Sequence, residues 1–227
     1  MIEAVVKEVE KITPSVVIVK LSFNGTPFSF KAGQFIQILL EKEGKTIRKP
    51  YSISSNPKTK DSVEFCLKIV PGGFASNYLA SLNPEHKLSV EGPFGHFTLQ
   101  EEINNDVIFV ATGTGISAIK PMVEEALKKS SHDVWLFFGI RTEQDIIYKK
   151  EFENLVENKK FHFIPVLSKS DNPEYEHGHV QDAFKKLIKQ NNQDIYMCGL
   201  ALMVDEVRQL CKELGFPDEK IHYEKYV

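Results

Sequence analysis

Through the first hundred residues, apolar and polar positions alternate. Val17, Val19, Leu21 and Phe23 are interleaved with Ile18, Lys20 and Ser22, and Val63, Phe65, Leu67 and Ile69 with Glu64, Cys66 and Lys68. A period of two buries one face of a strand. Turn dipeptides (Asn24-Gly25, Ala32-Gly33, Asn56-Pro57) punctuate this half. Many short strands with close turns predict an antiparallel β-barrel or sandwich. From about residue 103 the period changes. Short apolar runs at 107–111, 134–138, 161–167 and 194–198 alternate with helical spacings. These are Ile119, Met122, Val123, Ala126 and Leu127, then Val180, Ala183, Phe184, Leu187 and Ile188, then Leu200, Met203, Val204, Val207 and Cys211. Strand–helix alternation predicts right-handed βαβ units and a parallel sheet. The boundary falls near Leu99–Glu102, giving an antiparallel barrel domain over 1–100 and an α/β domain over 103–227. A parallel sheet binds ligands at the carboxyl ends of its strands. Segments 111–115, 139–143, 167–171 and 198–200 are therefore expected to line one crevice.

Composition narrows the class. A chain of 227 residues with 42% hydrophobic and 26% charged content has the make-up of a soluble globular protein. A net charge of −3 gives no electrostatic case for nucleic acid or an anionic membrane. No apolar run reaches the roughly 18–20 residues of a membrane span, and the N-terminus lacks the pattern of a secretory signal. The three cysteines, Cys66, Cys198 and Cys211, are too few and too far apart for a disulfide framework. A cytoplasmic location is the expectation.

Candidate chemistry begins at Val107–Ala118. An apolar run ends in Gly113-Thr114-Gly115, and an amphipathic helix follows at once. Strand, glycine turn and helix N-terminus together form a cradle for phosphate. Upstream, Arg48-Lys49-Pro50-Tyr51-Ser52 packs two cations, an aromatic ring and a hydroxyl into one strand, suited to holding an anion while stacking a flat ring. Gly72-Gly73-Phe74-Ala75-Ser76 opens a short helix with amides for a diphosphate. Gly92-Pro93-Phe94-Gly95 reads as a tight turn closing the barrel half. Read alone, each has a plainer meaning. Tyr51 also fits a cross-strand aromatic, Arg48 and Lys49 a solvated edge, and Gly72-Gly73 a plain loop. Cys198 also fits a small core residue, and Tyr226 a frayed tail. Cys211 sits on an apolar helix face and reads as core. His177-Gly178-His179 lacks a third ligand nearby, so no metal is expected.

Taken in order, these motifs resemble the ferredoxin–NADP reductase-like flavoprotein superfamily across nearly the whole chain. The resemblance implies an antiparallel barrel carrying FAD, followed by a nicotinamide-binding parallel sheet. The R-x-Y-S/T signature places Tyr51 against the isoalloxazine and Ser52 near flavin N5. The signature's arginine position holds Lys49, with Arg48 one step earlier, so either cation could meet the FAD diphosphate. The G-x-x-S/T signature matches Gly73-Phe74-Ala75-Ser76, and Lys68 and Val70 match positions along the flavin's ribityl and phosphate path. The nicotinamide loop matches Gly113-Thr114-Gly115-Ile116, with Ala118 where proline is usual. Cys198-Gly199 matches the pair closing the last strand, although Leu200 replaces the usual proline. Glu224 and Tyr226 match a C-terminal acid and an aromatic that covers the flavin in plant-type members.

The implied activity is FAD-dependent NAD(P)H oxidation. Hydride passes from nicotinamide to flavin N5, Ser52 supports N5, and Cys198 and Glu224 frame the nicotinamide. Cofactor choice rests on strand ends. No acid closes the strand at Gly139-Ile140-Arg141-Thr142, and Ser168-Lys169 closes the next, which leans towards NADPH over NADH. The acceptor is expected to be a separate ferredoxin or flavodoxin. The alternative is service as the reductase or electron-transfer subunit of an oxygenase or other multi-component complex. A basic patch including Lys49 would suit an acidic carrier.

Overall fold

The computed structural model describes residues 1–226. Two compact units divide the chain, Met1–Thr98 and the residues from Leu99 onward.

The first unit contains β1 (Ile2–Thr13), β2 (Val16–Ser22), β3 (Phe35–Lys42), β4 (Lys45–Ser52), β5 (Ser62–Lys68), α1 (Phe74–Ala80) and β6 (Lys87–Phe94). Its strands pair antiparallel in the order β4-β3-β6-β1-β2-β5. The two ends of that order meet beyond β4. Ser54 N–H donates to the Glu64 carbonyl at 2.7 Å, and Glu64 N–H to Ser55 Oγ at 3.1 Å. The sheet thus curls on itself until the segment after β4 meets β5. Alternation places Val17, Val19, Leu21, Ile36, Ile38, Val63 and Phe65 inside, each no more than 3% exposed. One expectation is corrected here. Gly92-Pro93-Phe94 is the end of β6 rather than a tight turn. Its register against β3 shifts between Phe35 and Gln37, so the irregularity is a bulge within a strand.

The second unit contains β7 (Val107–Thr112), α2 (Ile116–Lys129), β8 (Val134–Ile140), α3 (Lys149–Leu155), β9 (Phe161–Leu167), β10 (Glu176–His177), α4 (Val180–Leu187), β11 (Asp194–Leu200), α5 (Ala201–Glu213) and β12 (Ile221–Tyr226). All strand pairs are parallel, in the order β10-β9-β8-β7-β11-β12. Continuous burial of Val107–Ala111 fits a strand covered on both faces. The chain moves outward from β7 through β8 and β9, then returns to the other side of β7 as β11. That reversal is the topological switch point where open α/β sheets bind ligands. Leu200, expected on the buried face of the last long helix, is instead the final residue of β11 and 66% exposed. No helix among the described residues is long and apolar enough to cross a membrane.

Candidate active site

In the first unit the expected residues gather around β4 and the turn before α1. The β3–β4 register is regular from Phe35↔Ser52 to Lys42↔Lys45. Side chains therefore alternate strictly, and Tyr51 and Lys49 share one face while Arg48, Pro50 and Ser52 share the other. Tyr51 packs 4.8 Å from Phe65, centroid to centroid, and burial pushes its hydroxyl up to about 12. Ser52 is buried. Arg48 is committed elsewhere, with its Nε 3.1 Å from Glu91 Oε2.

Past the exposed Lys68, Val70-Pro71-Gly72-Gly73 forms a β-turn. Gly73 N–H donates to the Val70 carbonyl at 2.9 Å, and Gly72 has φ +72°. Proline second and a left-handed glycine third is the type II pattern. Ser76 Oγ accepts the Val70 N–H at 3.1 Å, and Asn77 Nδ2 donates to the carbonyls of Val70 and Gly73. A Cβ on Gly73 would sit 2.8 Å from Ser76 Oγ. The turn is thus shaped by its own side chains. Ser76 acts first as an acceptor for the turn, with its O–H left to donate. Ala75 beside it is buried and packs against the barrel core. Asn77, which sequence reading passed over, is the second clamp; only its place directly after the serine signalled it.

In the second unit the two glycine motifs meet at the switch point. Gly113 is left-handed at φ +53°, and Gly113–Gly115 forms a 3₁₀ turn leading into α2. No side chain caps either element, so their first N–H groups are not satisfied by a cap. Gly115 lies so close to β11 that a Cβ there would fall on the Cys198 carbonyl. A Cβ on Gly199, which has φ +145°, would fall on Thr112 Oγ1 and lie 2.9 Å from the Thr112 carbonyl, and Leu200 N–H donates to Thr112 Oγ1 at 3.1 Å. Thr112 therefore ties the phosphate-type loop to the Cys-Gly pair. It was missed because a threonine ending a strand carries no signal by itself.

Cys198 is fully buried and is the register partner of Glu224 in β12. Burial and the Glu224 charge both push the thiol well above the ordinary cysteine range, and a hydrogen bond from Tyr226 pulls the other way. Burial also raises the Glu224 carboxyl. Its Oε2 is buried with no hydrogen-bond partner among the described residues. Tyr226 belongs to β12 and is no frayed tail. Just past the ends of the neighbouring strands β8 and β9, Arg141, Ser168 and Lys169 are brought together. Ser168 N–H donates to the Ile140 carbonyl at 3.1 Å and Lys169 N–H to the Arg141 carbonyl at 2.9 Å. All three side chains are exposed. The histidines of the 177–179 stretch serve structure: His177 Nδ1 lies 2.8 Å from the Ser170 carbonyl, and His179 caps α4.

Both halves match known domains. Residues 3–99 fit the oxidoreductase FAD-binding domain and residues 109–209 the oxidoreductase NAD-binding domain. Ferredoxin–NADP reductase B of Sorangium cellulosum (strain So ce56) is 33% identical over 221 residues, 91% of each chain. The chain belongs to the ferredoxin–NADP reductase-like flavoprotein family. The phenol hydroxylase P5 protein of Acinetobacter pittii (strain PHEA-2) is 27% identical over 236 residues; the match covers 99% of this reductase and 65% of that protein. Among solved structures, Amycolatopsis cytochrome P450 reductase GcoB superposes with a TM-score of 0.91 at 27% identity, covering 98% of this chain and 68% of that one. The family's cofactors are FAD and a nicotinamide dinucleotide. The features present fit them: a turn too tight for a Cβ at Gly73, a left-handed uncapped loop at Gly113, and an orphaned buried oxygen on Glu224.

Proposed function

We propose that the enzyme oxidises NADPH through FAD and hands the electrons to a separate small carrier protein, ferredoxin or flavodoxin. The observation that carries this reading is the junction of Thr112–Gly115 with Cys198–Gly199, beside the unpartnered oxygen of Glu224. In this reading residues 1–100 form the flavin half and 103–227 the nicotinamide half. Bound FAD would supply the redox chemistry, being able to accept two electrons together and release them singly.

The chain's own residues bind and orient. Tyr51 offers a ring face and Ser52 a hydroxyl to the isoalloxazine. Lys49, on the Tyr51 face, is the cation for the diphosphate, since Arg48 lies on the opposite face and is paired with Glu91. Lys68, Val70 and the Gly73–Ser76 turn follow the ribityl and phosphate path. Gly113, Thr114 and Gly115 present amides to the dinucleotide phosphates. Arg141, Ser168 and Lys169 receive its far ribose, and two cations there favour a 2′-phosphate. Cys198 fills space beside the nicotinamide as a neutral thiol. Glu224 Oε2 accepts from the carboxamide, which fixes the ring's orientation. Tyr226 steadies Cys198 through its hydrogen bond to the thiol.

A second reading, supported by the likeness to the phenol hydroxylase protein, makes the acceptor an oxygenase component. A cytoplasmic site of action suits either. The test is anaerobic. Purified protein should be yellow, NADPH should bleach it faster than NADH, and the reduced protein should reduce ferredoxin or flavodoxin. A bound flavin that stays oxidised with both nucleotides overturns the enzyme reading. Reduction of an oxygenase component but neither carrier selects the second.

A further inference from the structure

Three large apolar side chains left in solvent lie within one short stretch: Val70 (50% exposed), Phe74 (38%) and Tyr78 (36%). Tyr78 is already engaged, its hydroxyl 2.9 Å from His86 Nε2. The Phe74 ring lies nearly parallel to Tyr78, at 14° and 6.3 Å, and the Lys42 ammonium stands 5.3 Å from its centroid. An aromatic face next to a cation is what a purine carrying a phosphate recognises.

Its place in the barrel is informative. On one face of the β3–β4 hairpin the register runs Ile36–Tyr51, Ile38–Lys49, Leu40–Ile47 and Lys42–Lys45. The β3 members Ile36, Ile38 and Leu40 are buried in the barrel core, whereas Tyr51, Lys49 and Lys45 on the outer strand β4 reach solvent; Tyr51 marks one end of that accessible row and Lys45, opposite Lys42, the other. Lys49 lies between them. From Tyr51 to Lys45 is about 20 Å along β4, at roughly 3.4 Å per residue. That is the reach of an extended dinucleotide, with its aromatic ring at one end and its base at the other. Phe74 joins the row at the base end, through Lys42.

We propose that Phe74 and Lys42 hold the adenosine end of FAD, with the Phe74 ring stacking on adenine and Lys42 supplying positive charge beside it. This rests on the reading of the first unit as the FAD half. The experiment titrates flavin-stripped full-length chain with FAD and with FMN, which has the same isoalloxazine and no adenosine, and follows flavin fluorescence. Phe74→Ala is expected to weaken FAD about tenfold while leaving FMN within about twofold, in line with the loss of one base–aromatic stack. Phe74→Trp restores FAD binding, and Lys42→Gln gives a smaller loss confined to FAD. Unchanged FAD binding in Phe74→Ala, or equal losses for FAD and FMN, overturns the proposal and leaves the FAD reading standing. A wild-type chain that binds neither flavin removes the FAD reading itself.

Discussion

Cys198 and Glu224 sit side by side across the parallel β11–β12 pair, a buried thiol next to a carboxyl with one oxygen shut away from water. Each ionises less readily than it would in solution, chiefly because of burial. The Cys198 thiol therefore stays protonated at neutral pH, and the Glu224 carboxyl ionises later than a solvent-exposed glutamate.

Glu224 gives a pH signature. Its carboxyl holds its proton above the ordinary glutamate range, so the folded chain binds that proton more tightly than the unfolded chain. No penalty exists below the ordinary range, where both states are protonated. The penalty grows as pH rises and is complete once the buried carboxyl has ionised. Thermal unfolding of Glu224→Gln against wild type, at pH 4 and pH 7.5, should show the variant gaining relative stability at the higher pH. A difference independent of pH contradicts this.

The cysteines should be silent until the chain unfolds. Cys66, Cys198 and Cys211 are all buried and outside any disulfide, and burial pushes Cys211 up to about 12. A colourimetric thiol reagent at pH 8 should react slowly with native protein and rapidly with three thiols in denaturant. Fast labelling of one thiol in the native state would mean that the burial of one site is transient.

The two loop glycines should behave differently. A Cβ at Gly113 meets nothing within 4 Å, so Gly113→Ala carries only the left-handed backbone cost, about 1 kcal/mol. Gly115→Ala drives a methyl into the Cys198 carbonyl and should cost about 2–3 kcal/mol, with a marked loss of NADPH affinity. Melting curves and nucleotide titration check the order; equal effects would refute it.

Lys49 and Arg48 separate by face. Lys49→Gln should weaken FAD about tenfold, the scale of one charge-assisted contact, and Lys49→Arg should retain binding. Arg48→Gln loses only an exposed pair with Glu91 and should leave FAD affinity near wild type. Flavin titration of the three variants decides it, and a larger loss in Arg48→Gln reverses the assignment.

Much of this was legible along the chain. Period-two alternation in 17–23 and 63–69 fixed the character of the first unit, and the apolar runs at 107–111 and 194–198 marked the central strands of the second. What stayed hidden depends on register and contact. Whether Lys49 or Arg48 shares a face with Tyr51 is set by an unbroken β3–β4 ladder, and no local pattern reports the absence of a bulge. Gly92-Pro93-Phe94 looks like a turn by composition, yet pairing with β3 keeps it in a strand. Thr112 acquires its task only because Leu200, 88 positions later, folds back beside it.

The placement of β7 also bears on how the polypeptide is made. It is the first strand of its sheet to leave the ribosome, yet it finishes in the interior, between β8 and β11. One flank stays uncovered until residues 194–200 have been synthesised. Until then Val107–Ala111 is a sticky apolar ribbon with unmet backbone groups. Nascent chains stalled before residue 194 should need chaperone protection, and premature termination there should yield aggregates rather than a half-finished enzyme.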